Sequence, residues 1–289
     1  MILPDLALAS RSNKEYTESG IDCFAECRDK LHFIRYPHQI SYQYNSRGFR
    51  DSEWSDSIGE LSNSIWCVGD SFTVGIGSAL EHTWTNVLQE ATGERCINVS
   101  MDGASNTWIA RKANQIIEEL HPTTLVIQWS YAHRDELPDA TLSDESRRLH
   151  YLGRDNFEVL PQLQRTAKCI ASIVPYQTNV IHSFIPNWCE MHGDEVRKSW
   201  GYFGGEKWPS CPTTPEEFAK IHPSVLQQFV EFNLLDMIVD YFASMKLMNE
   251  IMGRIVHVPE IKTLDLARDG FHYGPKTATK FVDDLITLI

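Results

Sequence analysis

From Ile65 to the end of the chain, short apolar runs alternate with longer stretches of helical period, and this alternation restricts the fold more than any other feature. Ile65-Trp66-Cys67-Val68 is too short for a helix and is bounded by Ser64 and Gly69, so it reads as a buried strand. Thr83–Thr92 reads as a helix ended by Gly93, and Arg95–Val99 as a second strand. Across 105–120 the apolar residues Trp108, Ile109, Ala113, Ile116, Ile117 and Leu120 recur at helical spacing until His121-Pro122 stops them. Leu125–Trp129 is a third strand, 160–174 a helix and Asn179–Ile185 a fourth strand. Beyond them come a long apolar helix or helix pair at 225–249, a fifth strand at Ile255–Val258 and a closing helix at 277–289. Such an order gives an α/β protein, a parallel sheet covered by helices.

Two regions stand outside the pattern. Residues 1–60 are polar and mixed, with a strand-turn segment over 42–51 pinned by Gly48, and they read as an extension packed on a main domain of 61–289. Residues 186–223 carry Trp188, Trp200 and Trp208, Tyr202, Phe203 and Gly204-Gly205 with no steady period. An aromatic insertion beside a crevice suits a substrate wall, since Trp and Tyr faces stack on sugar rings; a self-packed satellite core is the other reading.

The formal net charge of −13, from 26 basic and 39 acidic residues, repels a phosphate backbone, and the basic residues are scattered. Nucleic acid is not an expected partner. No run approaches the roughly 20 apolar residues that span a bilayer, and Met1-Ile2-Leu3-Pro4 lacks the features of a secretory signal. Seven cysteines, an odd number without a dense framework, fit reduced thiols and a cytoplasm-like compartment. Cys23 with Cys27, and Cys189 with His192, have no partner pairs at closed zinc-site spacing, and the glycines around Gly75-Ile76-Gly77 match neither a dinucleotide fingerprint nor a P-loop. No metal or cofactor is expected.

Chemistry concentrates at two places. Gly69-Asp70-Ser71-Phe72-Thr73 follows the first strand, where loops at the carboxyl ends of parallel strands form the usual ligand crevice. A serine there presents its hydroxyl beside a helix start; it also fits as a plain N-cap. Near the far end stands Asp269-Gly270-Phe271-His272, a spacing that lets a carboxylate hold one imidazole nitrogen while the other faces a serine. Together, Ser71, His272 and Asp269 supply the nucleophile, base and orienter of a relay. The order Ser…Asp…His also occurs in α/β-hydrolases, but Thr73 stands where their G-x-S-x-G elbow needs its last glycine.

These two blocks resemble the SGNH (GDSL) hydrolase family, and Asn45-Ser46-Arg47-Gly48-Phe49-Arg50 is similar to an N-S-x-G-F-R stretch that precedes the serine block in some members. The resemblance implies a three-layer α/β/α sandwich with a parallel, flavodoxin-like five-stranded sheet. It implies an oxyanion hole built from the N–H groups of Ser71 and Gly103 and an asparagine after the third strand. This chain lacks that asparagine: Gln128-Trp129-Ser130-Tyr131 stands there, leaving Ser130 or, alternatively, Asn106 as third donor. Arg134 reads either as a group that binds substrate or as half of an ion pair with Asp135 or Glu136. The expectation is a serine esterase removing an acyl group, with O-acetyl on a carbohydrate or small ester as its substrate. An acyltransferase using the same acyl-serine and a non-catalytic carbohydrate-binding protein are the alternatives.

Overall fold

A computed structural model of the chain describes residues 6–131, 134–136, 150–151, 165–166, 168–173, 179–185, 256–258 and 263–289. Four strands form the body of a parallel sheet: β1 (Ile65–Gly69), β2 (Cys96–Ser100), β3 (Thr124–Trp129) and β4 (Asn179–Phe184). At its edge a two-residue strand, β5 (Val256–His257), pairs with Ile181 and His182, so the spatial order is 2-1-3-4-5. Every residue of β1, β2 and β3 is buried. That explains the apolar runs Ile65–Val68 and Leu125–Ile127, while the buried polar residues Asn98, Ser100 and Gln128 lie toward the carboxyl ends of β2 and β3.

The helices before and beside the sheet are α1 (Phe24–Cys27), α2 (Leu31–Arg35), α3 (Ile58–Ser62), α4 (Ser71–Val74), α5 (Trp84–Thr92), α6 (Asn106–Leu120) and α7 (Pro275–Ile286). The connection β1–α5–β2 moves outward to one side of β1, and β2–α6–β3 crosses back to the other. Right-handed crossovers in these two directions put α5 and α6 on opposite faces, giving three layers. α7 packs with α5, its Phe281 meeting Trp84 edge-on at 5.1 Å. α6 is fixed at its start by Ser105, whose hydroxyl accepts the Trp108 N–H, and at its end by His121 in the left-handed conformation. The sequence boundaries of the elements shift by one to three residues, as expected where a cap rather than the apolar period decides the end.

Strand order reverses beside β1, the place where open α/β sheets generally form their ligand crevice. Ser71 lies there, directly after β1. Residues 186–223, with Trp188, Trp200 and Trp208, and the stretch 225–249 fall outside the described residues; of the helix expected over 160–174, residues 165–166 and 168–173 are described and are helical. Among the described residues, no helix is long and apolar enough to cross a membrane, and no group of three His, Cys, Asp or Glu side chains is placed to hold a metal ion.

Candidate active site

Gly69 ends β1 because nothing larger fits: a Cβ there would stand 2.1 Å from Thr73 Oγ1. Thr73 turns its hydroxyl to Gln128 Oε1 at 2.9 Å, and Gln128 Nε2 reaches the Tyr273 hydroxyl at 3.3 Å. The threonine that breaks the G-x-S-x-G pattern thus ties the serine turn to β3 and to the loop carrying His272. Asp70 caps α4 by accepting the Phe72 N–H at 3.0 Å. Its other oxygen accepts the Ser130 hydroxyl at 2.6 Å and the Arg134 guanidinium at 2.7 Å.

Ser71 is the first residue of α4, where helix N–H groups have no partner within the helix. The N-cap is its neighbour Asp70, and Ser71 itself is buried, only 1% exposed. The reason is the loop of residues 266–273 folded against it. His272 Nε2 lies 2.8 Å from Ser71 Oγ, and His272 Nδ1 lies 2.5 Å from Asp269 Oδ2. The second oxygen of Asp269 accepts the N–H groups of Phe271 at 2.9 Å and His272 at 3.0 Å, which turns the backbone so that one carboxylate faces the imidazole. Burial pushes the Asp269 carboxyl up, but the His272 hydrogen bond and charge and the two backbone N–H groups outweigh it and hold the group below the ordinary carboxylate value. The ring of Phe72, 4.6 Å from that of His272, fills the space beside the imidazole.

The N–H groups of Ser71 and Gly103 have no hydrogen-bond acceptor among the described residues. Gly103 adopts φ 74° just beyond β2, a backbone conformation that favours glycine. The two candidates for a third donor are engaged elsewhere. Asn106 spends its amide protons on Ser130 O at 3.0 Å and Thr166 Oγ1 at 2.9 Å, while its oxygen accepts the Ser130 N–H. The Ser130 hydroxyl proton goes to Asp70. Arg134 pairs with Asp70, and Glu136 pairs with Arg111 at 2.6 Å.

Sequence reading missed the groups that hold this arrangement from the N-terminal side. Lys30 Nζ donates to the main-chain oxygen of Asp269 at 2.9 Å. Arg268 forms a two-pronged ion pair with Asp22, at 2.8 and 2.6 Å. The Tyr42 hydroxyl donates to Asp22 at 2.6 Å and accepts the Gly77 N–H at 2.8 Å. Arg50, the last residue of the N-S-x-G-F-R stretch, is fully buried and donates to the carbonyls of Val74, Gly75 and Ser78. Only Arg50 carried a signal in the sequence; Asp22 and Lys30 lie in a mixed polar stretch with none.

No family model and no curated protein matches the chain. Among solved structures it is similar to TesA, at 13% identity and a TM-score of 0.39, over 78% of this chain and 97% of that one. It is also similar to a putative lipolytic protein of the G-D-S-L family from Desulfitobacterium hafniense DCB-2, at 10% identity and a TM-score of 0.37, over 78% and 99% of the two chains. A family two carbohydrate esterase from Clostridium thermocellum, in complex with cellohexaose, is similar at 10% identity and a TM-score of 0.39, over 78% and 63%. All three are distant likenesses.

Proposed function

We propose that this chain is a serine-dependent hydrolase of acyl esters. One observation carries the reading: a buried imidazole with Ser71 Oγ at 2.8 Å on one nitrogen and Asp269 Oδ2 at 2.5 Å on the other. In this reading Ser71 Oγ attacks the ester carbonyl while His272 Nε2 takes its proton. The oxyanion that forms is met by the N–H groups of Ser71 and Gly103, both without other acceptors among the described residues. Collapse breaks the bond to the alcohol, which leaves with the proton from His272. Water, deprotonated by His272, then attacks the acyl-serine carbonyl; the bond to Ser71 Oγ breaks, the acid leaves, and His272 returns the proton to Ser71 Oγ. Asp269 keeps the proton on Nδ1 and balances the imidazolium. The SGNH resemblance of the two sequence blocks supports the same chemistry.

Within that class, an O-acetyl group on a carbohydrate is the substrate to test first, on the strength of the tryptophans at 188, 200 and 208 in the sequence. The test is labelling of Ser71 by a fluorophosphonate, followed by a panel of p-nitrophenyl esters of increasing chain length and acetylated sugars. Labelling with release of free acid supports a hydrolase; product that appears only when an acceptor alcohol is added would make it a transferase. A chain that neither labels nor turns over any ester overturns the reading.

A further inference from the structure

The loop that carries Asp269 and His272 meets the turn that follows Ser71 at two adjacent residues, Gly77 and Ser78. Arg268 N–H donates to Gly77 O at 2.9 Å, and a Cβ on Gly77 would stand 2.9 Å from Asp269 Cγ. Ser78 Oγ adds a bond to Tyr273 O at 2.9 Å on the other side of His272. The 2.8 Å approach of His272 to Ser71 is therefore set by how the turn 75–78 and the loop 267–273 register on each other.

Neither segment is held by the sheet alone. Gly77 N–H is taken by the Tyr42 hydroxyl, which in turn donates to Asp22, and Asp22 grips Arg268 with both oxygens. One phenol thus joins the Ser71 side to the His272 side through a single carboxylate. Tyr42 and Asp22 are fully buried, so water does not compete for these bonds. Burial and the neighbouring Asp22 hold the phenol far above its ordinary pKa, which keeps it a donor. Arg50 stacks its guanidinium 4.3 Å from the Tyr42 ring centre and fixes the turn's carbonyls. Lys30 holds Asp269 O from outside the core.

We infer that Tyr42 and Lys30 are positioning residues of the catalytic relay: the N-terminal segment sets the distance between Ser71 and His272 and is not merely a covering layer. The inference rests on the ester-hydrolase reading for its kinetic readout but not for its spectroscopic one. Tyr42→Phe removes only the bridging hydroxyl. Lys30→Met removes a bond made by an exposed side chain, so it leaves the core untouched, and Lys30→Arg restores a donor.

The experiment uses the full chain, with circular dichroism confirming the fold of each variant. Three quantities are read: kcat and KM on a p-nitrophenyl ester, the second-order rate of fluorophosphonate labelling, and the downfield proton resonance of the His272–Asp269 hydrogen bond, assigned with His272→Ala. Tyr42→Phe and Lys30→Met are expected to lower kcat and the labelling rate by about 10- to 100-fold, the scale of a misplacement near 1 Å. KM should stay within about twofold, and Lys30→Arg should recover most of the loss. The resonance should shift or broaden in both weakened variants. Wild-type kcat, labelling and resonance in both would overturn the inference. If Tyr42→Phe does not fold, the Lys30 pair decides. If the wild type neither labels nor hydrolyses, the ester reading fails, and the resonance alone decides: a change in the variants supports the positioning role and no change overturns it.

Discussion

Arg134 Nη1 lies 2.7 Å from Asp70 Oδ2, an ion pair whose carboxylate is fully buried and whose owner immediately precedes Ser71. The same oxygen accepts the Ser130 hydroxyl, and Arg134 also donates to Ser130 Oγ at 2.8 Å. What stands where the SGNH pattern has an oxyanion asparagine is therefore a support for Asp70. Removing one partner of a buried pair strands the other charge. Arg134→Met is expected to destabilise the fold by about 2–3 kcal/mol, somewhat below the span for fully buried pairs, because Arg134 keeps 11% of its side chain exposed. Ser130→Ala should cost about 1.5 kcal/mol and lower kcat by less than about tenfold, whereas loss of a true oxyanion donor costs about 100-fold or more. Denaturant midpoints and kcat measured on the same samples separate the two.

Ser71→Ala should abolish both turnover and fluorophosphonate labelling while costing only about 1–1.5 kcal/mol of stability, since it deletes one buried hydroxyl bond, that to His272, and no apolar packing. More than a few per cent of the wild-type rate, in material free of other esterases, would place the nucleophile elsewhere.

Asp269→Asn is expected to reduce kcat by about 10⁴-fold, the scale seen when an amide replaces the relay carboxylate and favours the wrong imidazole tautomer. It also has a pH signature. The Asp269 carboxyl titrates below its unfolded value of about 3.9. In that range the native chain binds fewer protons than the unfolded chain, so stability rises with pH. The contribution is complete above about pH 4 and is lost as pH falls through the lowered native value. Acid unfolding curves of Asp269→Asn should accordingly be flatter below about pH 4 than those of wild type.

Gly77 and Gly93 form a matched pair for testing close approach. Both have positive φ, 77° and 72°, but a Cβ on Gly77 would press on Asp269 while one on Gly93 meets nothing within 4 Å. Each alanine substitution should cost about 1–2 kcal/mol for the left-handed backbone. Only Gly77→Ala should also depress kcat, by about tenfold or more through displaced geometry. Equal kcat in the two variants would contradict the idea that Gly77 seats Asp269.

The sheet and the two blocks meeting at its carboxyl edge were legible in the sequence because strands buried on both faces write themselves as apolar runs. Ser71, Asp269 and His272 stood out because their chemistry needs those residue types in that order. The Arg134 pair with Asp70 was not legible because the two residues are 64 apart, whereas Asp135 and Glu136 are neighbours in sequence. Ser130 and Asn106 were offered as donors because position alone was visible; which acceptor takes each proton is settled only by packing. The hold of Asp22, Lys30 and Tyr42 on the far end of the chain had no local signature at all. Long-range polar contacts follow no period.

Ser71 and His272 are 201 residues apart along the chain. Until the two ends meet, the serine hydroxyl has no base beside it and is no more reactive than any other on the surface of an unfinished fold. Closing so long a loop costs chain entropy, which the contacts of α7 and of the loop before it help to offset in the folded chain. On the ester-hydrolase reading, nucleophilicity belongs to the completed tertiary structure and to no segment of it: it lasts only while the serine turn and the loop of residues 266–273 stay docked on each other.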